Sequence, residues 1–310
     1  MSDPVIIIFG ATGGLGQYII KECKKRNLEF IGVNRNVMNE PTKEWMHESN
    51  ASGLRRSIVN MQKCGRAIFI NTIGWGDVQG CQHNPYHSYG SNAMSVGKVL
   101  YLAMLYHTHM IHVSTNDVFG QPLRPCTTGH KPQSDPKPIG TYAQHKYIGE
   151  QILQATYDKD HFAIVRATFM SPWSRSKGGE TFYYEAYKKF KGAQLYDPSG
   201  LPIEVVKGYT NQGTCPISVD TYAKILVDLA LQKATGIHHF STSDSNFQLS
   251  RHCVLEYMKR VIENEHAQLF EAQCMAEGPR ESWLSPMTHD IETECKKFVK
   301  LCEEYDKGKS

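Results

Sequence analysis

Tyr142 and Lys146, in the run TYAQHK, stand four residues apart, so on a helix they share one face. An ammonium beside a phenol stabilises the phenolate and lowers the phenol pKa from about 10 towards neutrality, which makes the tyrosine a proton donor or acceptor. Spacing alone selects nothing, because Tyr184/Lys188, Tyr187/Lys191 and Tyr305/Lys309 repeat it among the 16 tyrosines of the chain. Only Tyr142 opens a helical stretch that follows a long loop from an apolar strand ending in hydroxyl residues, Ser114 and Thr115, and that runs on to another apolar strand. The other three pairs fall in polar, basic segments and are expected on solvated helix faces.

A second chemical feature lies near the start. Val5 to Phe9 is a β-branched run too short for a helix, and it stops at the glycine run GATGGLG, with Gly10, Gly13 and Gly16 three residues apart. The following QYIIKECKKRN is helical in pattern, with Leu15, Ile19, Ile20 and Cys23 recurring and Lys24, Lys25 and Arg26 in the last turn, where the helix dipole favours cations. Phe30 to Val33 then reads as a second strand. Such a turn needs glycine for tightness and for backbone approach to a pyrophosphate, which the helix N-terminus meets with free N–H groups. Gly10, Thr12, Gly13, Gly14, Leu15 and Gly16 are therefore dinucleotide-binding candidates. At the end of the second strand, where a carboxylate would select NAD, stand Asn34 and Arg35. A guanidinium suits a 2′-phosphate, which points to NADP(H), with NAD(H) the alternative.

The elements that must hold these groups keep alternating. AIFIN (Ala67 to Asn71) is a strand, SNAMSVGKVLYLAMLYH (residues 91–107) a long helix, and Met110 to Ser114 a strand. A Pro- and Gly-rich loop from Gln121 to Gly140 leads to a helix from Tyr142 to Ala155 and a strand from Phe162 to Ala167. Beyond Thr168 come a loop at SPWSRSKGG, a basic and aromatic helix FYYEAYKKF, a turn and helix over residues 211–231, a strand from Gly236 to Ser241, and helices near Gln248–Asn264 and His289–Tyr305. Residues 36–66 are polar, with one short strand suggested at Ser57 to Val59. Strands and helices in this order predict an α/β, doubly wound parallel sheet. Phe182, Tyr183, Tyr184 and Tyr187 are expected to pack the core of a smaller second domain.

Composition sets the outer limits. The 310 residues allow about two domains at roughly 150 residues each. With 40% hydrophobic and 21% charged residues the chain belongs to the globular class, and a net charge of +3 is too small and dispersed for a nucleic-acid binder. The first apolar run is far shorter than the roughly 20 residues a bilayer span requires, so a soluble, cytoplasmic protein is expected. Nine cysteines without a C-x-x-C pair suggest reduced thiols. His83 and His87, with Cys81 nearby, have zinc-ligand spacing, but Asn84-Pro85 interrupts the helix such a pair needs, and no metal site is expected. His107, His109 and His112 read as surface or strand histidines.

The segments FGATGGLG, INTIG, SNA (Ser91 to Ala93), HVSTNDVFG, PIGTYAQHKYIGEQ, AIVRAT and NQGTCPIS occur in an order and spacing that resemble the extended short-chain dehydrogenase/reductases, and among them the dTDP-4-dehydrorhamnose reductases. The resemblance covers most of the chain and fades after about residue 245. It implies a Rossmann fold with a smaller, mainly C-terminal substrate-binding domain. It gives Thr115 the hydroxyl that orients a ketone oxygen, Tyr142 the general acid, and Lys146 the residue that lowers the tyrosine pKa and holds the nicotinamide ribose. Gly13, Gly14 and Leu15 would lie on the pyrophosphate and Thr72, Ile73 and Gly74 near the cofactor, with Asn116 and Phe169 among the substrate contacts. Asn92 matches the family's helix Asn, and capping a backbone group is an equal explanation for it. Three departures stand out: the acidic pair after the second strand is not evident in residues 36–66, Asp117 replaces a Tyr, and Phe169 stands where the reductases carry Trp.

The implied arrangement is a cofactor domain over residues 1–170, with 212–240 returning to it, and a substrate cap made of 171–211 and 241–310. The implied activity is NADPH-dependent reduction of the 4-keto group of a nucleotide-linked 4-keto-6-deoxy sugar, with no nucleic-acid or membrane partner; a homodimer is compatible. Alternatives are a nucleotide-sugar epimerase, dehydratase or epimerase-reductase, or a non-catalytic regulatory subunit resembling the methionine adenosyltransferase β subunit.

Overall fold

The computed structural model describes residues 4–33, 66–120, 129–172, 174–175, 179–192, 206–210, 213–243, 249–264, 267–272 and 289–308. Asn34, Arg35 and the strand suggested at Ser57 to Val59 lie outside the described residues. Two compact units divide the chain: residues 1–115, 140–166 and 220–238 form the first, and 116–139, 167–219 and 239–310 the second.

In the first unit the apolar runs form one sheet. Its strands are β1 (Val5–Phe9), β2 (Glu29–Val33), β3 (Ala67–Asn71), β4 (His109–Val113), β5 (Phe162–Arg166) and β6 (Gly236–His239), in the spatial order β6-β5-β4-β3-β1-β2. β1 pairs in parallel with both β2 and β3, and β3, β4 and β5 pair in parallel in turn. Every residue of β1, β3, β4 and β5 is buried, as expected of parallel strands covered on both faces. The helices are α1 (Gly14–Lys25), α2 (Val78–His83), α3 (Pro85–Tyr89), α4 (Ser95–Leu105), α5 (Thr141–Thr156) and α6 (Val219–Leu231). Val96, Val99, Leu100 and Ala103 of α4 and Leu153 of α5 close one core over Phe9, Phe69, Met110 and Ile164. On α1, Arg26 holds Glu22 and reaches Asp228 of α6 at 2.6 Å.

α1 begins at Gly14, where Gly13 supplies the N-cap through backbone geometry without a capping side chain. One expectation shifts here. The long helix expected over 91–107 is shorter: a π-helical turn, Gly90–Met94, precedes α4, and α2 and α3 lead into it. His107 is exposed and takes the left-handed conformation (φ 46°) just past α4, while His109 and His112 are buried on β4.

The second unit builds its own core from helices Phe182–Gly192, Arg251–Ile262 and Ile291–Lys307, with Tyr183, Tyr184, Tyr187, Val254, Leu255, Met258 and Phe298 buried together. Tyr184 and Tyr187 are therefore core residues, as the aromatic run implied, and only their partners Lys188 and Lys191 sit on the exposed face expected for these pairs. Tyr184 donates to Asp306, which satisfies its buried hydroxyl. Short parallel pairs join Phe169–Met170 to Ile217–Ser218 and Val206–Tyr209 to Leu269–Ala272. Among the described residues no helix is long and apolar enough to cross a membrane.

Candidate active site

The order of strands reverses at β1, since β2 lies on one side of it and β3, β4 and β5 follow on the other. Loops that leave the carboxyl ends of β1 and β3 diverge there, and such a switch point is where doubly wound sheets take ligands. Gly10 sits at the crossing with φ +85°, and a Cβ on it would lie 2.6 Å from Thr72 Oγ1. Thr72 laces the two loops together: its N–H and its hydroxyl both donate to the Phe9 carbonyl, at 2.9 and 2.8 Å. Glycine at position 16 is forced by packing, because a Cβ there would lie 2.8 Å from Ala11 Cα and nearer still to the Gly10 carbonyl oxygen. Gly13 caps α1 without a side-chain hydrogen bond, and no acidic residue occupies the first turn. The N-terminus of a 12-residue helix thus carries neither a capping side chain nor a first-turn carboxylate, which suits a pyrophosphate.

The loop after β3 is held from below. Ile73 N–H donates to Asn71 Oδ1 at 3.1 Å, and Asn71 Nδ2 lies 3.3 Å from His112 Nδ1. An amide nitrogen can only donate, so His112 accepts there and carries its proton on Nε2, which finds no partner among the described residues. Burial and the nearby Lys146 hold His112 well below the usual histidine pKa, so it is neutral. Asn92, fully buried in the π-helical turn, clasps the backbone of Trp75: Oδ1 accepts from Trp75 N–H at 2.8 Å and Nδ2 donates to Trp75 C=O at 3.1 Å. Backbone capping is thus what Asn92 does. Ser88 accepts from the same Nδ2 at 3.3 Å and lies 2.9 Å from His145 Nδ1. A Cβ on Gly74 would come within 3.2 Å of Asn92 Oδ1 and 3.9 Å of Lys146 Nζ, so this stretch of bare backbone runs beside both groups.

Tyr142 is half-buried and Lys146 is buried in the first two turns of α5. Lys146 Nζ donates to the Val113 carbonyl at the end of β4, at 2.7 Å. Burial lowers its pKa from 10.5 to about 8, and the negative charge of Glu150 opposes that fall. Gly149 allows this approach of α5, since a Cβ there would stand 2.8 Å from Asn92 O. Thr115, two residues beyond Val113, is buried at the same strand end. One buried cation, one tyrosine on its helix and one hydroxyl at the strand end can together move a proton on or off a carbonyl oxygen.

The sequence reading passed over three groups beneath this site. Arg166, the last residue of β5, donates to both oxygens of Glu150, at 2.6 and 3.0 Å, and Ser114 donates to the same carboxylate. A charged residue inside the apolar run AIVRA, and a Glu one turn after Lys146, were the available signals. Asn116 and Phe169 belong to the second unit, where Thr168 donates to Asn116 and Phe169 pairs with Ile217. Cys81, His83 and His87 are engaged separately, with Trp75 O, Gln79 O and the Trp75 ring, and α2 ends at His83 before Pro85 opens α3. Among the described residues no group of three or more His, Cys, Asp or Glu could hold a metal.

Similarity to known proteins agrees with this architecture. The family described as RmlD substrate binding domain matches residues 4–294. A probable low-salt glycan biosynthesis reductase of Haloferax volcanii is 21% identical over 240 residues, 77% of this chain and 74% of that one. A dTDP-4-dehydrorhamnose reductase of Mycobacterium tuberculosis is 25% identical over 170 residues, 53% of this chain and about half (50%) of that one. The crystal structure of dTDP-4-dehydrorhamnose reductase from Bacillus anthracis, in complex with NADP, superposes with a TM-score of 0.71 at 18% identity, covering 96% of this chain and 98% of that one. The chain belongs to the RmlD substrate binding domain family and is an enzyme of the extended short-chain dehydrogenase/reductase type.

Proposed function

We propose that the protein reduces the 4-keto group of a nucleotide-linked 4-keto-6-deoxy sugar with NADPH. The observation that carries this reading is the buried Lys146 ammonium, anchored on Val113 O one helical turn from Tyr142, at the strand end that bears Thr115. Tyr142 donates the proton to the ketone oxygen, and Lys146 favours the phenolate left behind. Thr115 holds that oxygen by a hydrogen bond that strengthens as charge develops on it. The nicotinamide, when bound, supplies the hydride to carbon 4.

Gly10, Thr12, Gly13, Gly14, Leu15 and Gly16 hold the pyrophosphate in this reading, with Thr72, Ile73 and Gly74 alongside and Lys146 on the nicotinamide ribose. Preference for NADP(H) rests on Asn34 and Arg35 in place of an acidic residue. The first unit carries the cofactor, and the second, with Asn116 and Phe169, selects the sugar nucleotide. Six free cysteines among the described residues, five of them buried, suit a reducing cytoplasm.

The test is NADPH absorbance with dTDP- and UDP-4-keto-6-deoxyhexoses, comparing wild type with Tyr142→Phe. Turnover by wild type and its loss in Tyr142→Phe is the expected result. Tight NADPH binding without oxidation by any sugar nucleotide would refute the activity, and equal turnover by the variant would remove Tyr142 as the acid.

A further inference from the structure

Lys146 and Glu150 stand one turn apart on α5, and both reach the end of β4. Lys146 donates to Val113 O, and Glu150 accepts from the hydroxyl of the next residue, Ser114, whose own N–H donates to Val165 O on β5 at 2.8 Å. Arg166 completes the set with bonds to both carboxylate oxygens of Glu150. Lys146, Glu150 and Arg166 are 4%, 0% and 1% exposed. A buried ion pair of this kind is a poor device for stability, because desolvation offsets most of its attraction and an apolar pair of matched size often serves as well. Its position suggests a different use. An ammonium buried beside Tyr142 tends to lose its proton, and a fixed carboxylate one turn away counters that tendency.

We propose that Glu150 is a positioning residue for the reaction: its carboxylate, clamped by Arg166 and Ser114, keeps the Lys146 ammonium charged where it acts on Tyr142. The proposal rests on the functional reading above for what Lys146 does, and on geometry for how Glu150 acts. Among the described residues the groups that face Lys146 are few. Its own helix supplies Tyr142 and Glu150, β4 supplies the neutral His112, and β5 supplies Arg166 through Glu150. Asn92, from the π-helical turn, carries no charge, and Tyr222 of α6 feels Tyr142. Among the described residues Glu150 is therefore the carboxylate that opposes the loss of the Lys146 proton, and Ser114 and Arg166 fix where that carboxylate stands.

The experiment reads Lys146 directly, by the pH dependence of its 13Cε resonance in lysine-labelled full-length protein, with the signal assigned from Lys146→Arg. Glu150→Gln keeps the size of the side chain and removes its charge; Glu150→Gln/Arg166→Gln removes both charges and guards against misfolding from a lone buried guanidinium. The expected result is a Lys146 midpoint that falls by about one pH unit or more in the double variant, and furthest in Glu150→Gln, where Arg166 is unopposed. The pH above which NADPH affinity declines should fall with it. A double variant that folds and titrates like wild type overturns the proposal, as does an unchanged midpoint in Glu150→Gln. Neither readout requires a sugar substrate, so a wild type that reduces no ketone would sink the functional reading while the Lys146 midpoint still decided the role of Glu150.

Discussion

Adding one methyl group to the glycine loop should have opposite consequences at two positions three residues apart. In Gly16→Ala the new carbon would stand 2.8 Å from Ala11 Cα and 3.0 Å from the Ala11 carbonyl carbon. Carbon atoms prefer about 3.5–4.0 Å, so the deficit is roughly half an ångström or more against backbone atoms. The loop cannot retreat freely, because Gly10 N–H and Ala11 N–H both donate to Val33 O at 3.1 Å. Overpacking of this kind costs about 1–3 kcal/mol, and the helix preference of Ala over Gly returns up to about 1 kcal/mol, leaving a net loss near 1–2 kcal/mol. Gly13→Ala differs: its φ of −76° suits any residue, and among the described residues its added carbon meets only Gly10 O, at 3.2 Å. Its stability should stay within about 0.5 kcal/mol of wild type. Gly13 is exposed, however, and its methyl would stand where the pyrophosphate is expected, so NADPH affinity should fall about tenfold, near 1.4 kcal/mol. Urea unfolding and fluorescence titration with NADPH separate the two effects. A Gly16→Ala protein as stable as wild type would refute the packing argument, and unchanged NADPH affinity in Gly13→Ala would refute the placement of the pyrophosphate.

Asn92→Ala leaves the N–H and C=O of Trp75 without their clasp, which should cost about 1–3 kcal/mol in urea unfolding and raise the Kd for NADPH. Lys146 lends an unusual pH dependence: its folded pKa is about 8 against 10.5 for the free side chain, so between those values the unfolded chain binds more protons. This group alone therefore raises stability as pH rises through that window, by at most about 1.4 kcal/mol per unit, and Lys146→Met should remove the slope in unfolding measured from pH 8 to 10. Activity should run the other way and decline above about pH 8, as the ammonium is lost. His112 sets an acid limit, because its folded pKa lies well below 6.5 and the unfolded chain takes up a proton first as pH falls. His112→Leu should flatten part of the stability loss below pH 6.5, while costing about 1–3 kcal/mol at pH 7 because Asn71 loses its partner.

What could be read from sequence was whatever a short pattern encodes. β1 and the glycine loop were legible because a β-branched run, three spaced glycines and a helical repeat each have one physical explanation. Tyr142 and Lys146 could be separated from three look-alike pairs by the strands on either side, while the bond from Lys146 to Val113 O was not legible. Leu15 in the helical repeat already places the start of α1 inside the glycine run, but nothing local reveals that Gly13 caps by backbone alone. The π-helical turn before α4 went unseen, since its residues satisfy an ordinary helical pattern, and the clasp of its Asn92 on Trp75 spans 17 residues. Glu150, Arg166, Ser114, Asn71 and His112 were hidden for a similar reason: each acquires its role from a partner 16 to 41 residues away. Tyr184 and Tyr187 were read both as core aromatics and as members of solvated pairs, and the helix they share resolves this by burying the rings and exposing the lysines.

The most direct measurement is the fate of a deuteride. NADPH carrying deuterium at both positions of nicotinamide carbon 4, incubated with the protein and a dTDP-linked or UDP-linked 4-keto-6-deoxyhexose, should deliver one deuterium to carbon 4 of the sugar in a single configuration, read by mass spectrometry and proton NMR. The predicted result is a sugar with one deuterium at carbon 4 and an oxidised cofactor that keeps one at nicotinamide carbon 4. Product without deuterium, or sugar rearranged with the labelled cofactor unconsumed, would contradict a reductase.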